Sequence, residues 1–184
     1  YFGGTLFELF IIRGQFDEYQ KFLEKFGIGM SEVSDGSMYM KTEDKLNYIK
    51  ELKKNFNVIS EVGSKDASVD IPTEKWIAMI KAELEAGSQK VITEARESGT
   101  IGIYKSDGSA NKELIDTIIK NFDINNIMWE APHKPQQAMF IKMLGANVNL
   151  GNIATNEVIA LEALRMGFRG DTFFQFLPDN LKQK

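Results

Sequence analysis

Ser31-Glu32-Val33-Ser34-Asp35, Ser60-Glu61-Val62-Gly63-Ser64-Lys65, Thr93-Glu94-Ala95-Arg96-Glu97 and Trp129-Glu130-Ala131-Pro132-His133-Lys134 all end alike. In each, a glutamate sits where a short apolar run is about to stop. A fifth run, Val148-Asn149-Leu150-Gly151-Asn152, carries Asn149 at the corresponding place. The runs predict strands near residues 29–34, 58–62, 90–95, 126–131 and 147–153. Between them lie stretches of helical period. Phe16 to Phe26 places Phe16, Tyr19, Leu23 and Phe26 at spacings of three and four, and Thr42 to Phe56 places Leu46, Ile49 and Leu52 on one face, with Thr42 as the expected cap. Further helices are predicted over 76–86, 112–122, 136–144 and 156–167.

Strict alternation of strand and long helix implies parallel strands joined by right-handed crossovers. That leaves a closed barrel and an open doubly wound sheet. No GxGxxG or GxxxxGK[ST] segment follows a strand, which weakens the open-sheet, nucleotide-binding reading. Units that end alike suggest equivalent places around one ring. In a (β/α)8 TIM barrel those places face the mouth, where the chemistry of that fold is kept. The expected fold is therefore an α/β parallel barrel forming a single domain over residues 1–184. A whole barrel takes about 250 residues, so roughly two βα units are expected to precede Tyr1, with Tyr1 to Glu8 as the end of a sixth strand.

The chain has 184 residues, no cysteine and a net charge of −4. Thiolate metal sites and disulfides are excluded, and the missing cysteines fit a reducing cytoplasm. The negative balance argues against a nucleic-acid footprint, and no apolar run is long enough to span a bilayer.

Side chains alternate along a strand, so Glu94 and Arg96 are expected to share a direction, as are Glu61 with Lys65 and Glu130 with Lys134. Converging carboxylates repel one another unless cations compensate. Lys65, Arg96 and Lys134 supply positive charge, and a divalent ion held by Asp35, Glu32, Glu94 and Glu130 would supply more. With oxygen donors and one histidine, Mg²⁺ suits the set better than zinc. Any one of these glutamates, taken alone, reads equally well as a rim ion pair; the repeated set with interleaved cations reads as a site. His133 reads as a solvated loop residue and Trp129 as helix packing. The loop Gly151 to Asn156 leads into a helix, whose free amides favour an anion beside Asn149 and Asn152. Arg165 to Thr172 is dense in charge, but a helix returning from the mouth puts it at the opposite face, in a structural or inter-subunit role.

Taken in order, Gly3-Gly4-Thr5-Leu6-Phe7-Glu8, Glu32-Val33-Ser34-Asp35-Gly36-Ser37, Glu61-Val62-Gly63-Ser64-Lys65, Glu94-Ala95-Arg96-Glu97-Ser98-Gly99, Glu130-Ala131-Pro132-His133-Lys134 with Gln136-Gln137, Val148 to Ile153 and Arg165 to Thr172 resemble the phosphosulfolactate synthase family. The resemblance implies a complete eight-stranded barrel that adds sulfite to phosphoenolpyruvate with Mg²⁺. In methanogens the product feeds coenzyme M. It implies Lys65 as the acid; beside it Glu61 and Arg96 are read as catalytic, and Lys134, Asn149 and Asn152 as substrate-binding. Ser64 stands where some members have a second lysine. A homo-oligomer is expected. Two other readings stay open: a similar enolate-forming enzyme acting on another phosphorylated acid, and a non-catalytic relative like the plant heat-stress proteins. A protein that had abandoned catalysis should have lost Lys65 or Arg96, and both are present.

Overall fold

Five apolar runs form strands in a computed structural model that describes residues 1–66 and 68–182. They are β1 (Met30–Val33), β2 (Asn57–Val62), β3 (Lys90–Thr93), β4 (Ile127–Glu130) and β5 (Leu150–Gly151). Every neighbouring pair is parallel, and the order across the sheet is the order in the chain. A doubly wound sheet reverses its strand order at a switch point; these five strands show no reversal. The sheet is the curved wall of a partial TIM barrel.

The register carries the stagger that closing a barrel demands. Glu32 lies opposite Ile59, two residues short of Glu61, and Glu61 lies opposite Ile92, two short of Glu94. In the next pair Thr93 faces Trp129, which brings Glu94 and Glu130 level.

Helices fill the intervals: α1 (Thr5–Ile12), α2 (Phe16–Lys25), α3 (Thr42–Leu52), α4 (Thr73–Ala86), α5 (Lys112–Asn121), α6 (Lys134–Leu144), α7 (Val158–Arg165) and α8 (Gly170–Phe173). Strand parity divides the labour. Val58, Val62, Val91, Ile127 and Trp129 turn outward and are buried under the helices. Trp129 stacks on Phe140 of α6 at 4.9 Å between ring centroids. The opposite parity carries Glu32, Glu61, Glu94 and Glu130. Among the described residues, no helix is long and apolar enough to cross a membrane.

Three expectations are corrected. Tyr1 to Glu8 keeps strand pairing only at Phe2, which bridges β1 in parallel at Ser31, and the chain turns into α1 at Thr5. Thr42 opens α3 but gives no side-chain cap; Lys41 holds the cap position. The last strand shrinks to two residues, and α7 starts only after a 3-10 turn at Thr155–Glu157. The free amides of that helix therefore do not sit at the strand end. Arg165 donates to the carbonyls of Ala146 and Val148, just before β5, at the face opposite the glutamates as expected.

Candidate active site

The glutamates at the ends of β2, β3 and β4 surround one cavity of about 700 Å³. Lys65, Arg96, Glu97, Ser98 and Asn152 line it with Glu61, Glu94 and Glu130. Lys65 Nζ stands 3.3 Å from Glu61 Oε1 and 3.8 Å from Glu94 Oε2. The ammonium attracts both carboxylates without being aligned for a hydrogen bond to those oxygens, and each keeps an unfilled acceptor direction. Glu130 Oε2 reaches across to β3 and accepts from the Ala95 amide at 2.7 Å, and Glu94 Oε1 accepts from the Arg96 amide at 2.6 Å. Between them, the two carboxylates hold a turn in which Arg96 adopts a left-handed backbone, φ 56°. Asn152, at the same φ, lines the same cavity. Two non-glycine residues in this sparsely populated region at one cavity are the kind of strain that functional sites retain. Arg96 then donates from its guanidinium to the Lys65 carbonyl at 2.9 Å. Gly63, at φ 131°, follows β2 where a Cβ would come within 2.4 Å of Glu94 Cβ, so Glu94 depends on that missing methyl for its place.

Burial makes these charges costly. It raises the Glu61 carboxyl to about 8, helped by Glu94 and opposed by Lys65. Burial also raises Glu32 to about 8, with Glu61 adding to the shift and Lys65 opposing it. Glu94 and Glu130 are pushed up as well, each by burial first, then by Glu130 and by Glu61 respectively. For Lys65, burial favours the neutral amine, but Glu61, Glu94 and Glu8 together outweigh it and the ammonium is held above its ordinary value.

A pH dependence of stability follows. Below about 4.5 both folded and unfolded chains hold protons on Glu32 and Glu61. From there to about 8 the folded protein keeps protons that the unfolded chain has released. Stability supplied by these groups is thus complete at low pH and lost as pH rises through about 8. In the absence of divalent cations, the midpoint of thermal unfolding should fall across this window, and Glu61→Gln should flatten the fall. A wild-type slope that Glu61→Gln leaves unchanged would contradict the assignment.

Four residues named from sequence sit elsewhere. Asp35 lies beyond the end of β1 and pairs with Lys45 at 2.7 Å, not with the other carboxylates. Glu32 packs against Gly4, behind Glu61, and does not line the cavity. Lys134 opens α6 and runs along the exterior to Asp171, Nζ to Oδ2 2.6 Å. Asn149 is one pleat too low: Glu130 is level with Gly151, and the Asn149 amide donates to the Asn125 and Ile127 carbonyls before and at the start of β4. His133 caps α6 and is exposed, its Nε2 3.0 Å from the Ser98 carbonyl.

Other buried polar groups were not singled out from sequence. Lys45 of α3 and Glu83 of α4 form a buried ion pair at 2.7 Å. Glu8 of α1 accepts from Ser34 at 2.6 Å and leaves its second oxygen without a partner. The signal was available: Lys45, Ile49 and Leu52 fall on one helical stripe, as do Trp76, Ile80 and Glu83, so each stripe contains one charge among core residues.

As to metal, no three His, Asp or Glu side chains form a ready cluster among the described residues. The donors are nonetheless hard carboxylate oxygens, two of them buried and without a hydrogen bond, at Glu61 and Glu94. Mg²⁺ commonly takes one or two carboxylates and completes its shell with water and substrate oxygens, which this set fits.

The family model for (2R)-phospho-3-sulfolactate synthase (ComA) matches residues 1–171. A phosphosulfolactate synthase of Bacillus subtilis is 45% identical over 177 residues, covering 95% of this chain and 70% of the relative. One from Methanocaldococcus jannaschii is 46% identical over 177 residues, covering 94% and 70%. One from Methanothermobacter thermautotrophicus is 39% identical over 176 residues, covering 94% and 68%. With a family match over nearly its whole length and these relatives, the chain belongs to the (2R)-phospho-3-sulfolactate synthase family of enzymes.

Proposed function

We propose that this cavity joins sulfite to phosphoenolpyruvate, forming the carbon–sulfur bond of (2R)-phospho-3-sulfolactate. The observation that carries the reading is the Lys65 ammonium, set between the Glu61 and Glu94 carboxylates beside Arg96 in one cavity. Sulfite is already a nucleophile and needs no base. Its sulfur lone pair forms the bond to the methylene carbon, and the alkene electrons move toward the substrate carboxylate, giving an enediolate-like intermediate. A proton must then reach the adjacent carbon, which carries the phosphate ester. In this reading Lys65 delivers it, since the acidic groups around it keep it protonated until that charge develops. The deprotonated amine left behind takes its next proton from solvent.

Arg96 is permanently charged and forked, which suits it to clamp a phosphate or carboxylate. Its left-handed backbone is tied down by Glu94, and its guanidinium rests on the Lys65 carbonyl at the cavity. Mg²⁺, which the unbonded Glu94 oxygen and Glu130 would hold with substrate oxygens and water while the unbonded Glu61 oxygen stays with Lys65, would supply positive charge to the developing carboxylate charge. Glu61 is then free to orient Lys65. Asn152 lines the cavity beside Glu130.

Because sulfite is a separate reactant, phosphoenolpyruvate binding can be measured by calorimetry without turnover. Arg96→Ala should weaken it about 10- to 100-fold, the worth of a charge-assisted hydrogen bond. An unchanged dissociation constant would remove Arg96 from the substrate.

A further inference from the structure

Lys45 projects from α3 into the protein, and its ammonium takes no part in lining the cavity. Its three protons meet three acceptors: Asp35 Oδ1 at 2.7 Å, Glu83 Oε1 at 2.7 Å and the Glu61 carbonyl at 2.6 Å. Those acceptors belong to the loop after β1, to α4 and to the end of β2. Two of the three lead to Lys65. Glu61 presents its carboxylate to Lys65 Nζ at 3.3 Å, and Gly36, next to Asp35, accepts from the Lys65 amide at 3.1 Å. One buried cation thus fixes both the backbone and the side-chain partner of the residue that faces the cavity.

We propose that Lys45 is a positioning residue: it ties the loop after β1 to the end of β2 so that Lys65 is held at its place in the cavity. Stability does not by itself explain an ammonium here, since a well-packed hydrophobe often serves a buried site as well as an ion pair. A hydrophobe, however, cannot bond three elements in fixed directions. The inference rests on the role proposed for Lys65.

The single variant Lys45→Met leaves Glu83 buried and uncompensated, so the informative variant is Lys45→Met with Glu83→Gln. Asp35 is partly exposed and can hydrate. In the full-length folded protein, amide exchange at Lys65 should quicken about 10-fold or more while the Ile92 amide in β3 keeps its protection. Turnover should fall about 10-fold or more, as misplacement of a reacting group does, with phosphoenolpyruvate affinity unchanged. Asp35→Asn, a milder change on the surface side, should move Lys65 exchange in the same direction to a smaller extent, and it decides the question if the double variant does not fold. Unchanged Lys65 exchange in either folded variant overturns the proposal, as does faster exchange with full turnover in the double variant. Should the wild-type protein make no phosphosulfolactate, the proposed reaction fails alone, and Lys65 exchange still shows whether Lys45 sets that residue.

Discussion

Lys65→Ala should abolish turnover, with a loss of about 10²-fold or more, while phosphoenolpyruvate still binds. Among the described residues Lys65 is the cation paired with the Glu61 and Glu94 carboxylates, and their negative charge retains its proton. Removing it takes away the group placed to protonate the intermediate but leaves Arg96 on its backbone turn, because the Arg96 amide is held by Glu94 and its guanidinium by the main-chain carbonyl of residue 65. Rate and binding should therefore separate. The check is steady-state turnover beside calorimetric binding in the same preparation. Near-normal turnover would return Lys65 to an ion-pairing role alone.

The second large effect is on stability. Lys45→Met should destabilise the protein by about 3–5 kcal/mol, the cost of breaking a buried ion pair from one side. Glu83 is fully enclosed and its second oxygen already lacks a hydrogen bond, so it has nowhere to place an uncompensated charge. Burial alone would lower the Lys45 pKa, yet Glu83 and Asp35 more than reverse this and keep it charged. Denaturant unfolding of the variant beside wild type measures the difference. A loss below about 1 kcal/mol would match an exposed pair instead and would contradict the enclosed network.

Most of the barrel was legible because strand parity and helical period are local signals. The glutamates at residues 61, 94 and 130 were found from the repeated ending of the runs, and the structure brings all three to one cavity. Past the strand ends the outcome was mixed, since Lys65 and Arg96 reach the cavity and Lys134 does not. Lys134 lies in a helix and does not inherit the direction of Glu130, and Asp35, two residues past β1, turns to Lys45. Asn149 failed for another reason. Counting from the apparent end of the run put it level with Glu130, but the register between β4 and β5 is a property of two strands and cannot be read from one. Lys45 and Glu83 were not singled out, although a lysine and a glutamate on the apolar stripes of adjacent helices are each other's explanation.

The claim that these residues form a carbon–sulfur bond is tested most directly by incubating the full-length protein with phosphoenolpyruvate, sulfite and Mg²⁺ and following phosphorus by NMR. The account predicts that the phosphoenolpyruvate resonance is replaced by a single new phosphate ester whose mass is that of phosphoenolpyruvate plus sulfurous acid, and that a chelator stops its appearance until Mg²⁺ is returned. Phosphoenolpyruvate that stays unchanged, or that releases inorganic phosphate without gaining sulfur, would contradict it.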